Sequence, residues 1–78
     1  MPTLLIWQGH KFRFYALDAG EPPHVHVFKD GKTLKVWLQN LEIAQNKGYN
    51  ERELGRLMAI VAERPNDWMG AWNDFFGV

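Results

Sequence analysis

The sequence predicts an α+β fold: a four-stranded antiparallel meander sheet followed by two to three helices packed on one face, all within a single domain over residues 1–78. Three observations carry this expectation. Apolar and polar residues alternate with period two in the first half of the chain. An Asp30-Gly31 pair sits between two such alternating runs. From Asn50 onward, apolar residues recur at helical spacing instead.

The first strand is the short apolar, partly β-branched run Thr3-Leu4-Leu5-Ile6-Trp7, which ends at Gln8-Gly9. The second is His10 to Ala16, with Phe12, Phe14 and Ala16 on one face and Lys11, Arg13 and Tyr15 on the other. A two-residue turn at Gln8-Gly9 makes the two a hairpin, although Gln is not the preferred first residue there. Leu17 to Pro23 reads as a loop punctuated by Gly20 and Pro22-Pro23, whose proline bonds sequence leaves open to either isomer. The second hairpin joins His24–Lys29 to Lys32–Leu38, because Asp-Gly supplies the two positive-φ positions of a type I′ turn. That turn sets the register. Lys29 opposes Lys32, Val27 opposes Leu34 and Val25 opposes Val36, while His26 lies beside Lys35 and His24 beside Trp37.

In the second half, Asn40 is expected to cap a short helix over Leu41–Lys47, with Gly48 at its C′ position. Asn50-Glu51-Arg52-Glu53 resembles a capping box, with Asn50 as N-cap and Glu53 at N3. The helix that follows carries Leu54, Leu57, Met58 and Val61 as one stripe. Pro65 stops or kinks it, and Asn66 is the expected next cap. Trp68, Met69, Trp72, Phe75 and Phe76 then share a face.

Composition excludes several functions. Nine Lys+Arg balance nine Asp+Glu, so no positive excess exists for undirected binding to nucleic acid or anionic lipid. With no cysteine, disulfides, thiolate metal sites and a Cys nucleophile are excluded. The amino terminus has no basic n-region, and its apolar run is too short to span a bilayer, which takes about 20 residues. A cytoplasmic domain without membrane contact is expected. Small size makes hydrophobic gain and ordering cost nearly cancel, so a homodimer or an obligate partner is expected to add stability.

The face left over after core assignment is the informative one. If Val25, Val27, Leu34 and Val36 meet the helices, then His24, His26, Phe28, Thr33, Lys35 and Trp37 lie on the other side. Arg13 and Tyr15 join them if the first hairpin continues the sheet. Together these groups offer an acid/base near neutral pH, fixed cations for a phosphate and flat surfaces for stacking a base. Metal-independent RNA cleavage needs those three capabilities. Three readings of His24 and His26 stand: a polar strand face, catalysis, or a metal site that would need a third ligand such as Glu21 or His10. His10 alone reads as a polar residue beside a turn. Trp37 reads as a packing residue or interface anchor before it reads as a stacking platform. The Trp/Phe stripe reads as core first and as a partner surface second.

Met1-Pro2-Thr3-Leu4, Phe12-Arg13-Phe14-Tyr15, Glu21-Pro22-Pro23-His24-Val25-His26-Val27, Trp37, Gly48-Tyr49 and Trp72-Asn73-Asp74-Phe75-Phe76 resemble a family of short bacterial proteins, domain of unknown function 4160. Pro65 departs from the long second helix that the resemblance implies. The resemblance brings no established activity and no cofactor. It implies a gene paired with another short protein, as in a toxin–antitoxin module, with this chain as a toxin-like ribonuclease. The expected catalytic residues are then His24, His26, Lys35, Arg13 and Tyr15, with Trp37 and Glu21 binding substrate, no metal, and RNA and a small neighbouring protein as partners. The alternative is a non-catalytic protein-binding module that uses the sheet face or the aromatic carboxyl-terminal helix.

Overall fold

The computed structural model describes residues 3–15 and 20–77. Five strands form one antiparallel meander in chain order: β1 (Thr3–Trp7), β2 (His10–Arg13), β3 (His24–Lys29), β4 (Lys32–Trp37) and β5 (Ile43–Lys47). Two helices follow, α1 (Glu51–Ala62) and α2 (Pro65–Phe76). Both predicted hairpin turns form. Gln8 and Gly9 have φ of 49° and 82°, and Asp30 and Gly31 have 49° and 81°, so Gln8 accepts the left-handed region that its hairpin requires. The β3/β4 register pairs Lys29 with Lys32, Val27 with Leu34, Val25 with Val36, His26 with Lys35 and His24 with Trp37, as the Asp-Gly turn dictates. Strand β2 ends at Arg13, short of the expected Ala16. Ala16, loop residues 17–19 and Met1-Pro2 lie outside the described residues. The bonds into Pro22 and Pro23 are trans.

The expected helix over Leu41–Lys47 does not form: Leu41 and Glu42 turn the chain, and Ile43–Lys47 is the fifth strand. Asn40 does accept a backbone N–H, but from Glu42 at 3.0 Å, which makes an Asx-turn rather than a helix cap. Trp37 N–H donates to the Glu42 carbonyl and Leu41 N–H to the Trp37 carbonyl, each at 2.9 Å, and these turn the chain back along β4. The free edge of β4 then gives residues 43–47 a ladder partner, while a short helix with no stripe to bury would gain little. Gly48 turns the chain out of the strand at φ 95°.

The helices cover one face of the sheet. Phe12, Phe14, Val25, Val27, Leu34, Val36 and Leu38 are buried against Leu57 and Val61 of α1 and Trp68 and Trp72 of α2. Phe12 meets Trp68 with ring centroids 5.6 Å apart, and Phe14 meets Trp72 at 5.1 Å. Asn50 caps α1 by accepting the Glu53 N–H at 2.8 Å. The Glu53 carboxylate takes Lys32 as its partner, at 3.0 Å. Pro65 opens α2 at the first helical position, where its missing N–H costs nothing, and the cap is Arg64 rather than Asn66. The two helices are therefore separate.

Candidate functional site

With the helices on one side, the opposite face of the sheet presents Arg13, Tyr15, His26, Phe28, Thr33, Lys35 and Trp37, all exposed or half-buried. A cavity of about 180 Å³ opens there, and Tyr15, His26, Phe28, Thr33, Lys35 and Gln45 line it. Ladder geometry brings them together. Arg13 pairs with His26, His26 with Lys35 and Lys35 with Gln45, so one row crosses four strands. The Tyr15 ring meets the His26 ring edge-on at 4.6 Å. Lys35 Nζ donates to the Glu21 carboxylate at 2.5 Å and stands 4.7 Å over the Trp37 ring. The Arg13 guanidinium lies 5.8 Å from the Tyr15 and Phe28 rings, and its buried Nε has no hydrogen-bond partner among the described residues.

His24 does not share that opening. It is fully buried, although strand alternation puts it on the same face as His26. Trp72 of α2 packs 5.1 Å from its ring, Trp37 lies at 5.4 Å and His26 at 4.9 Å. Its Nδ1 donates to the Pro22 carbonyl at 2.8 Å. The Trp72 side chain of α2 packs over this end of β3, an effect that a period-two pattern cannot register. Tyr15, His26 and Lys35 thus line one cavity, Arg13, Trp37 and Glu21 flank it, and His24 backs it. Gln45 is the residue that sequence reasoning missed, because β5 read as a helix. Its only trace was Asn40, whose side chain caps helices and Asx-turns alike.

A second polar cluster lies at the far end of the sheet. His10 and Tyr49 are both buried, with Nδ1 and the hydroxyl 3.0 Å apart, and Trp7 stacks on His10 at 5.8 Å. Burial, and then the Lys29 charge, push the His10 pKa below its usual value. Burial first, then Glu53 and Asp30, push the Tyr49 phenol up to about 12. The Lys32 hydrogen bond holds Glu53 below the usual carboxylate range. With His10 neutral and Tyr49 protonated, the phenol donates to Nδ1 when the imidazole proton is on Nε2. His10 is thus a structural residue here. Among the described residues no three or more His, Asp or Glu side chains are grouped so as to hold a metal ion; Glu21 pairs with Lys35 and His10 with Tyr49.

No helix among the described residues is long and apolar enough to cross a membrane. No curated protein and no solved structure matches the chain. The family model for the domain of unknown function DUF4160 matches residues 9–73, from the first hairpin turn through most of α2, and the chain belongs to that family.

Proposed function

We propose that the open sheet face binds single-stranded RNA and that the His26 cavity cleaves it without a metal, as the toxin-like half of a toxin–antitoxin pair. The observation that carries this reading is the convergence of one imidazole, one ammonium and one phenol on a single open cavity with aromatic rings beside it. His26 takes the proton of the ribose 2′-hydroxyl, the residue type suited to that step near neutral pH. The 2′-oxygen attacks phosphorus and the bond to the 5′-oxygen breaks, leaving a 2′,3′-cyclic phosphate and a 5′-hydroxyl. Lys35 and Arg13 stabilise the charge that develops on the phosphoryl oxygens. Because His24 is buried and its Nδ1 is held by Pro22, the departing oxygen takes its proton from solvent, and slow turnover follows. Purified protein in EDTA, incubated with end-labelled RNA, tests this. Cleavage to cyclic-phosphate ends that is lost in His26→Ala supports it, and intact RNA, or equal cleavage by His26→Ala, rejects it.

One observation favours the second reading, a non-catalytic module. Phe75 stays 39% exposed on α2 beside Phe76, and Ile43 is 43% exposed on β5. Coexpression with the protein encoded nearby separates the two. On this reading Phe75→Ser abolishes a copurified complex and His26→Ala leaves it intact. A homodimer through the α2 face at Phe75 would appear in sedimentation of the isolated chain.

A further inference from the structure

Phe28 lines two cavities. One is the His26 cavity, and the other, of about 260 Å³, is walled by Gly9, Lys11, Lys29 and Asp30. The second lies where the tips of the first two hairpins meet. Lys29 Nζ donates to the Gln8 carbonyl at 2.9 Å and bridges the two turns. Gly9 makes room for that bridge, since a Cβ there would stand 3.1 Å from Lys29 Cε. Lys11 and Arg13 each bring a cation to 5.8 Å from the Phe28 ring.

We infer that the cavity under the hairpin tips is a second nucleotide subsite, where Lys11 and Lys29 hold the phosphate next to the one in the His26 cavity and Phe28 stacks against a base between them. This rests on the RNA reading above and names how much of the strand is held. His26 and Phe28 are neighbours on one face of β3, and two residues of a strand advance about 6.7 Å, a step that one nucleotide of an extended chain spans. Two lysines against the single carboxylate of Asp30 suit an anion. A flat ring between two cation-lined hollows suits a polymer that alternates charge with planar groups better than it suits an acidic peptide, which offers charge without the planes.

The test is fluorescence anisotropy of the full chain with a labelled oligouridine RNA of about six nucleotides, titrated across salt, for the native protein, Lys11→Ala, Lys11→Ala/Lys29→Ala and Phe28→Leu. Each lost phosphate contact should make the slope of log affinity against log salt shallower by about 0.7, hence by about 1.4 for the double variant. Phe28→Leu should weaken binding about fivefold or more. If Lys29→Ala unfolds the hairpin junction in a melting control, Lys11→Ala alone decides, because its exposed side chain leaves the core untouched. Native binding with slopes unchanged in these variants overturns the second subsite while the His26 reading stands. No RNA binding by the native chain, with capture of a polyglutamate peptide instead, overturns both.

Discussion

Replacing Tyr49 with Phe removes one oxygen from a buried contact and leaves the ring in place. Tyr49 is 5% exposed and His10 6%, and their 3.0 Å contact ties the start of β2 to the segment between β5 and α1. Without the hydroxyl, Nδ1 of His10 is left in a site that water scarcely reaches. Stranding a buried polar atom costs about 1–3 kcal/mol. In a domain of this size each kcal/mol lowers the melting midpoint by about 4–8 °C, so a fall of about 4–24 °C is expected. Thermal unfolding by circular dichroism at pH 8, where His10 is neutral, measures it. Acidification adds a second readout. Because His10 titrates lower in the folded protein than its ordinary 6.5, the unfolded chain takes the proton first. Stability is therefore full above that value and is lost as pH falls through the folded pKa. His10→Phe/Tyr49→Phe removes donor and acceptor together. It should be more stable than Tyr49→Phe alone and should lack the part of the acid loss that His10 causes. The reasoning fails if Tyr49→Phe lies within about 0.5 kcal/mol of the native protein, the usual scatter of neutral substitutions, or if the double variant gains nothing over it.

Other expectations concern separate parts of the molecule. Glu21→Gln releases Lys35 from an exposed ion pair worth about 0.2–1 kcal/mol, so RNA should bind up to about fivefold tighter at low salt; equal or weaker binding would count against a phosphate role for Lys35. Gly48→Ala puts a side chain at φ 95° with its Cβ 3.1 Å from Lys32 Cγ, and urea titration should show a loss of about 1–3 kcal/mol. Leu57→Ala opens a hole in the centre of the helix–sheet interface and should cost about 2–5 kcal/mol in the same assay. At alkaline pH the sign reverses relative to His10. The Tyr49 phenol is raised from 10.0 to about 12, so its contribution is present below pH 10.0 and is lost as pH rises through about 12. Tyr49→Phe should melt with a flatter alkaline limb.

What sequence made legible was whatever short-range geometry determines. The Asp30-Gly31 turn admits one register, so every β3/β4 pair followed from it, His26 beside Lys35 included. The Leu54, Leu57, Met58 and Val61 stripe could only face inward, and it does. What failed depended on distant chain. Residues 43–47 became a strand because β4 had a free edge, information that does not reside in those residues. His24 was buried by Trp72, 48 positions later in the chain, at a place where alternation predicts exposure. The register thus places Arg13, His26 and Lys35 in one row as the turn implied, extends that row to Gln45, and leaves His24 buried where alternation put it in the open.

Strand β5 has all five side chains exposed and pairs with β4 alone. Beside its backbone ladder, the described side-chain bonds that hold it are those of Asn46 to the Tyr49 backbone, so it belongs to the parts of a fold that open below the global unfolding free energy. Its amides should exchange with solvent deuterium earlier than those of α1, which buries Leu57 and Val61. Since Gln45 forms one wall of the His26 cavity, each such opening also removes that wall. A ligand that contacts Gln45 would lock the strand down, and slowed exchange confined to residues 43–47 would report occupancy of the cavity without any assay of chemistry.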